Sequence, residues 1–495
     1  MIRSHSSLQD QIDIDAVIAG RARLTREEAL RLFREASLHD LGRWSTAMAN
    51  RILHAHPSRR PHADPRGQSQ QGDPVARETL RTYIIDRNIN YTNVCSASCT
   101  FCAFKRDLDE AGNYTLSTQQ LHQKIRELVA IGGTQILLQG GMHPELPIEW
   151  YEQMLRGIKS AFPQINIHGF SPPEFVEFVA IFKLEGFPTT APGKSHQLEW
   201  PIWCAKLEAI MRRLMAAGLD SLPGGGGEIF AEPVRRKIGL GKATSQQWLE
   251  VMATAHRLGM LTSATMMFGH IEGIADRIDH MDRIRTAQDR ALREGWRGRY
   301  MAFISWPFQR ENTPLGRVPE WDLESSAPFP GDVVAEAGNP AADPLFGRRV
   351  RMAGATDYLR TQAISRLYLD NILSIGSSWV TMGPKIGQLA LFFGATDMGS
   401  VMMEENVVSA AGTTYCLNEP VLCKLIREAG FIPAQRNSHY DVIKLQEDAD
   451  SPDLRVTDWS QHRAKNLHIE KHEEKHDRKH TEVAISLPIA ADVAK

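Results

Sequence analysis

A chain of 495 residues, 42% of them hydrophobic and 23% charged, has material for a large buried core in one or several domains. A formal net charge of −2 excludes the basic excess of a general nucleic-acid binder, and six cysteines are too few for a disulfide framework. Met1 to Asp10 lacks an apolar signal core and no run reaches the ~18 apolar residues of a membrane span, so a soluble cytoplasmic protein is expected.

In chain order, Thr25–Glu28 carries a capping-box pattern. Leu30, Phe33, Leu41, Trp44 and Met48 recur at near-helical spacing, which predicts a helical extension over 1–57. Residues 58–78, rich in Pro, Arg, Gln and Gly, read as a linker. From there to 445, strands and amphipathic helices alternate. The strands are expected at Thr82–Ile89, Thr134–Gln139, Gln164–Phe170, Leu219–Leu222, Leu261–Phe268, Tyr300–Ser305, Asn371–Ile375 and Thr396–Ser400. Helices are expected at Thr118–Ala130, Glu149–Ala161, Ser245–Leu258, Ile274–Leu292, Tyr358–Leu369 and Glu419–Ala429. The fold class is therefore α/β, a (β/α)8 TIM-type barrel. Proline-rich stretches at 183–202 and 314–350 read as loop insertions. Residues 446–495 read as a charged, disordered tail in which His468, His472, His476 and His480 repeat at helical spacing.

Directly after the first strand, Cys95, Cys99 and Cys102 form a C-x3-C-x2-C array with Phe101 before the last thiol. Clustered thiolates suit a soft metal site. A 4Fe–4S cluster takes four cysteines, so three leave one iron open. A structural zinc site is the alternative, and it requires a fourth Cys or His. Ile131–Thr134 places Gly132 and Gly133 between a helix and a strand, as a helix cap or as a close approach to a ligand. His168, at the end of the third strand, is a candidate for proton transfer or hydrogen bonding, while His256 and His270 read as packing residues. Pro223–Glu228 lacks the Gly-Lys-Ser/Thr of a P-loop; its glycines are a turn or a ligand-facing main chain, with Glu228 at the barrel mouth.

The array C-x3-C-x-aromatic-C resembles the signature of the radical S-adenosylmethionine (SAM) enzymes. Further stretches resemble the cyclic dehypoxanthinyl futalosine synthases within them: Asp86–Asn93, Gly132–Gly141, His168–Glu174, Ala264–His270, Ser378–Gln388, Glu404–Gly412 and Pro433–Asn437. Gly227 departs from the alanine usual in that group, Ser98 from a common acid, and Met142 from a frequent histidine.

The resemblance implies a barrel of the radical SAM kind. It implies a 4Fe–4S cluster on Cys95, Cys99 and Cys102, with SAM on the open iron beside Gly132, Gly133 and Phe101; Phe104 joins these as a second ring for the adenine. It also implies dehypoxanthine futalosine as the small-molecule substrate, reduced flavodoxin or ferredoxin as the electron donor, and a step in menaquinone biosynthesis. Glu228 and His168 are the candidates for the base. Lys385, Arg310 and Arg436 are candidates for the substrate's benzoate on chemical grounds. The sister aminofutalosine synthases and a zinc-binding interaction protein are the alternatives.

Overall fold

The computed structural model describes residues 12–56, 58–59, 74–240, 242–413 and 415–462. The four tail histidines and most of the 58–78 linker fall outside these residues.

Eight parallel strands form the ring. Strand β1 is Leu80–Ile84 continued by Asp86–Asn90, and β2 to β4 are Gln135–Gln139, Asn166–Gly169 and Ser221–Leu222. They are followed by β5 (Leu261–Phe268), β6 (Tyr300–Pro307), β7 (Ser374–Gly376) and β8 (Asp397–Ser400). Each pairs in parallel with the next. The ring closes where β8 pairs with the lower half of β1, Asp397 beside Thr82, and the Val401 N–H donates to Ile84 O. Parallel neighbours require helical crossovers on the outside.

The crossovers start where local chemistry dictates. Ser117 and Thr244 close capping boxes on α1 (Thr118–Ala130) and α2 (Ser245–Arg257). Side-chain and main-chain donors at a helix start are otherwise unsatisfied, so each box stabilises its boundary by about 1 kcal/mol. The predicted box at Thr25 is formed as well and opens the N-terminal helix Arg26–Glu35. That helix and the next, Leu38–His54, bury Leu32, Leu41, Trp44 and Met48 in the same apolar core as the barrel helices.

Five features depart from the expected layout. The 183–202 insertion ends inside a helix, Trp200–Ala217, and the 314–350 insertion contains a helix, Pro330–Ala337. A hairpin of β9 (Ile432–Arg436) and β10 (Val442–Leu445) pairs with the lower edge of β1. Strand β1 breaks at Ile85, whose carbonyl accepts from Thr134 N; below this point β9 is its neighbour, above it β2. Residues 446–462 are packed rather than tail-like: Gln446 is buried against Tyr83 Oη at 2.8 Å, and Asp453 pairs with Arg427 at 2.7 Å. Among the described residues no helix is long and apolar enough to cross a membrane.

The inward positions of the strands are largely polar. Asp86, Asn88 and Asn90 lie level with Gln135, Leu137 and Gln139, and Gln135 and Leu137 with Asn166 and His168. The alternate positions, among them Ile89, Ile136, Leu138 and Ile167, are buried under the helices. Leu137, Gln139, Asn166, His168, Ser263 and Thr265 are only partly buried, so the barrel has an accessible interior instead of stacked apolar layers.

Candidate active site at the barrel mouth

The cysteine loop leaves β1 at the C-terminal end of the ring, where βα-barrels place their chemistry. Hydrogen bonds tie it on three sides. Cys95 N donates to Arg106 O, Ser96 N to Met142 O beyond β2, and Thr100 N to Ile238 O. Ser98 and Cys99 also pair antiparallel with Leu240 and Gly239. All three cysteines are free and partly buried. Burial raises the Cys95 thiol and pushes Cys99 up to about 12, with the Lys242 charge opposing both. The neighbouring Cys102 thiol pushes both upward, and Cys95 adds to the rise at Cys99.

Among the described residues no three His, Cys, Asp or Glu side chains converge as ligands of a single metal ion. A cubane cluster instead takes one thiolate on each of several irons, and three free thiols on one loop are a donor set that fits it. Phe101 packs on the core edge, with Lys242 Nζ 4.8 Å from its ring centroid. Phe104 makes an edge contact with Tyr114 at 6.3 Å.

Gly132 and Gly133 are not at this end. They close the C-terminus of α1, donating to Val129 O and Leu128 O, and Gly132 O accepts from Gln435 of the hairpin. Gly132 has φ +81° with open space at its Cβ position, as a left-handed helix cap requires. A helix-to-strand connection in this fold lies at the opposite end of the ring from a strand-to-helix connection. The glycine pair beside the cysteines is Gly140–Gly141, just past β2. Gly141 N donates to Thr92 O, and a Cβ on Gly141 would lie 2.1 Å from Val94 O and 3.0 Å from the Cys95 Cβ. Gly141→Ala is expected to push the cysteine loop, costing about 1–3 kcal/mol of stability and lowering iron incorporation. Gly132→Ala leaves iron incorporation intact. Iron assay after anaerobic reconstitution reads the contrast.

The four-glycine turn after β4 is a packing device. Added Cβ atoms at Gly224, Gly225, Gly226 and Gly227 would meet Ala264, Gln139, Pro173 and Thr265 O within 2.3–2.6 Å. The close Thr265 carbonyl is why glycine stands at 227. The turn delivers Glu228 with φ +40°, a left-handed conformation that costs a non-glycine residue about 1–2 kcal/mol. Glu228 Oε1 pairs with Lys242 Nζ at 2.5 Å, and Oε2 is buried without a partner among the described residues. Burial alone would raise the Glu228 carboxyl; Lys242 and Arg235 outweigh it and hold the group below the usual range. Glu228, Lys242, Arg235 and Gly239 line one small cavity beside the cysteine loop. Lys242 carried no motif; only its contacts identify it.

Deeper in the barrel, His168 Nδ1 lies 2.7 Å from Ser221 Oγ, and Asn166 bridges Ser221 and Gln135. Burial, then the Arg436 charge, lowers His168 to about 3. It is a neutral hydrogen-bonding group near pH 7. The three candidate anion binders do not meet at the mouth. Arg436 reaches the floor from β9 and grips Asp397 at 2.6 and 3.1 Å. Arg310 binds Gly316 O and Val318 O of its own loop and Glu320. Lys385 is exposed on a helix beyond β7. His256 is fully buried with Nε2 against Thr262 Oγ1, and His270 is fully buried with Nε2 against Met267 O and Nδ1 3.0 Å from the Glu272 carboxylate.

Glu174 braces the mouth. It accepts from Tyr91 Oη at 2.6 Å, Gly140 N at 3.1 Å and Ser171 N at 2.7 Å. Burial raises its carboxyl from 4.5 to about 7. The folded state then holds a proton that the unfolded state has lost, so this group's contribution is fully present below 4.5 and declines as pH rises to about 7. Glu174→Gln is expected to flatten unfolding free energy against pH across that window, measured by denaturant titration.

Residues 89–284 match the radical SAM superfamily, and residues 346–449 match the CofH/MqnC C-terminal region. The chain is 37% identical to the cyclic dehypoxanthine futalosine synthase of Halalkalibacterium halodurans, over 87% of this chain and 94% of that one. It is 36% identical to the enzyme of the same name from Streptomyces coelicolor, over 90% and 92%. Among solved structures, methylornithine synthase has the same fold, with a TM-score of 0.53 at 14% identity, covering 85% of this chain and 97% of that one.

Proposed function

The chain belongs to the radical SAM superfamily, among the cyclic dehypoxanthine futalosine synthases of the futalosine route to menaquinone, and from that premise we propose its reaction. The substrate is dehypoxanthine futalosine. One ribose hydrogen atom is removed at C4′, that carbon joins the benzoate ring, and an electron and a proton leave to restore aromaticity. The observation that carries this reading is the placement of three free thiols at the C-terminal mouth of a hollow barrel with a polar lining.

Cys95, Cys99 and Cys102 would hold the 4Fe–4S cluster, with Gly140 and Gly141 as the bare main chain beside it. Bound there, cluster and SAM together supply a 5′-deoxyadenosyl radical, an abstractor of hydrogen atoms. The protein's own residues bind, orient and exclude water. Gln139, Asn166, Ser263 and Thr265 offer amide and hydroxyl partners suited to a ribose. His168 serves as a neutral partner rather than as the base. Glu228, ionised and with Oε2 unpartnered among the described residues, is our candidate to take the released proton. A one-electron donor such as reduced flavodoxin or ferredoxin, in a reducing cytoplasm, completes the requirement.

The test is anaerobic turnover of reconstituted protein with mass spectrometry of both products. Consumption of dehypoxanthine futalosine matched by free 5′-deoxyadenosine is expected. Adenosine retained in the product would indicate aminofutalosine synthase chemistry, and intact SAM would overturn the radical reading.

A further inference from the structure

Arg235 lies in no sequence motif, yet among the described residues its guanidinium makes five hydrogen bonds, all to main-chain carbonyls. It is buried at 6% exposure on the short helix Glu232–Ile238. Its Nη2 donates to Gly226 O at 3.0 Å and Ala243 O at 2.8 Å; Nη1 donates to Gly227 O at 2.7 Å and Ile229 O at 3.2 Å; Nε donates to Ala243 O at 3.0 Å. Four of the five bonds go to residues that adjoin Glu228 or Lys242 in sequence: Gly227 and Ile229 flank Glu228, and Ala243, which accepts twice, follows Lys242. The helix bearing Arg235 ends at Ile238, whose carbonyl holds Thr100 N, and Gly239 pairs with Cys99.

We propose that Arg235 is a positioning residue that fixes the Glu228–Lys242 pair against the cysteine loop, so that SAM meets a preset wall rather than a mobile one. The physical basis is the planar fork of guanidinium. Its five donors on three nitrogens form a rigid fork that reaches four carbonyls on two chain segments, a spread the three donors on one lysine nitrogen do not match. The segment from 226 to 243 leaves the barrel after β4, and among its described residues the two-residue pairing at Cys99 is the one sheet partner. Glu228 is also held in an unfavourable backbone region, and a strained conformation persists only where its surroundings over-determine it. Arg235 supplies that constraint from both ends of the excursion.

The proposal rests on the radical SAM reading, and its test separates the two. Arg235→Lys and Arg235→Met are made in the full chain and reconstituted anaerobically. Iron and sulfide are expected at wild-type content, with kcat/KM for SAM lowered about 10²-fold and KM for dehypoxanthine futalosine unchanged. The change that SAM produces in the EPR spectrum of the reduced cluster is expected to be weakened. Lysine should rescue little, because three donors on one nitrogen do not reproduce the five fixed donors that hold both segments. Where the methionine variant does not fold, the lysine variant is read alone.

Two readouts go beyond a merely structural role. In the unreconstituted protein, amide exchange at 226–229 and 242–243 should speed up while β1 and β2 stay protected. In a Glu228→Gln, Lys242→Met background, adding Arg235→Lys should cost no further SAM affinity. Unchanged exchange, unchanged SAM kinetics or fully additive losses would each overturn the role of Arg235. Failure of the wild-type protein to bind or cleave SAM would instead sink the functional reading, and exchange would still report on Arg235.

Discussion

Cys99→Ala is expected to abolish SAM cleavage and to drop the iron content of reconstituted protein from about four per chain to near background. Cys99 is the most sharply placed of the three thiols. It sits in the two-residue pairing with Gly239 and between Thr100 and the Cys102 N–H, which donates to its carbonyl. Loss of that sulfur leaves two thiolates for a cube that needs three from this loop. Cys204, Cys416 and Cys423 are the internal controls. Cys204 is a half-buried residue of an outer helix; Cys416 and Cys423 are buried in the C-terminal region, where burial pushes their thiols up to about 11 and 12. Alanine at any of these three should leave iron content unchanged. Zinc without iron in the wild-type protein would overturn the cluster assignment.

Lys242→Met is expected to destabilise the fold by about 3–5 kcal/mol, the usual cost of leaving one member of a buried ion pair unpaired. Glu228 would keep its burial and lose the contact that offsets it. The double variant with Glu228→Gln should recover most of that loss, because it removes the orphaned charge. Denaturant midpoints of the two singles and the double measure this coupling. The pH dependence has a definite sign. Glu228 is held below its ordinary 4.5, so its contribution is present above 4.5 and is lost as pH falls through the lower folded value. Lys242 is raised above its ordinary 10.5, with burial opposing and Glu228 and Cys99 driving the rise. Its contribution is full below 10.5 and is lost only as pH climbs past the folded value. The pair thus supports the fold throughout the neutral range, and Glu228→Gln should remove the acid-side loss.

The polar face of the barrel interior was legible in the strand sequences but easily misread. Asp86, Asn88 and Asn90 alternate with Arg87 and Ile89, and Gln135 and Gln139 bracket an apolar core of β2. A parallel sheet buried on both faces reads as a continuous apolar run. Alternation in a parallel barrel therefore reports an interior that holds water or a ligand. The same chain signals did not separate Gly132–Gly133 from Gly140–Gly141. Both pairs border β2, and the expected parallel barrel already puts the pair after the strand on the cysteine side; the resemblance to the family signature drew the reading to Gly132–Gly133 instead. Arg436 was chemically reasonable as an anion binder, yet the hairpin that carries it joins the floor, where Asp397 already takes both arms of its guanidinium.

By itself the amino-acid order determined the starts of the helices Thr118–Ala130, Ser245–Arg257 and Ile274–Arg293, the span of β5, the loop carrying three thiols and the family resemblance. Each of these is written in neighbouring residues: a capping oxygen three positions from its partner, a period of two, a cysteine spacing. The closed ring, the β9–β10 pairing below Ile85, the Glu228–Lys242 contact and the Arg235 bridges were decided only by the tertiary structure. These join residues that are far apart in the chain or lack a local pattern. A hydrogen bond or ion pair depends on distance and direction in space, and no spacing along the chain encodes either until the barrel has closed.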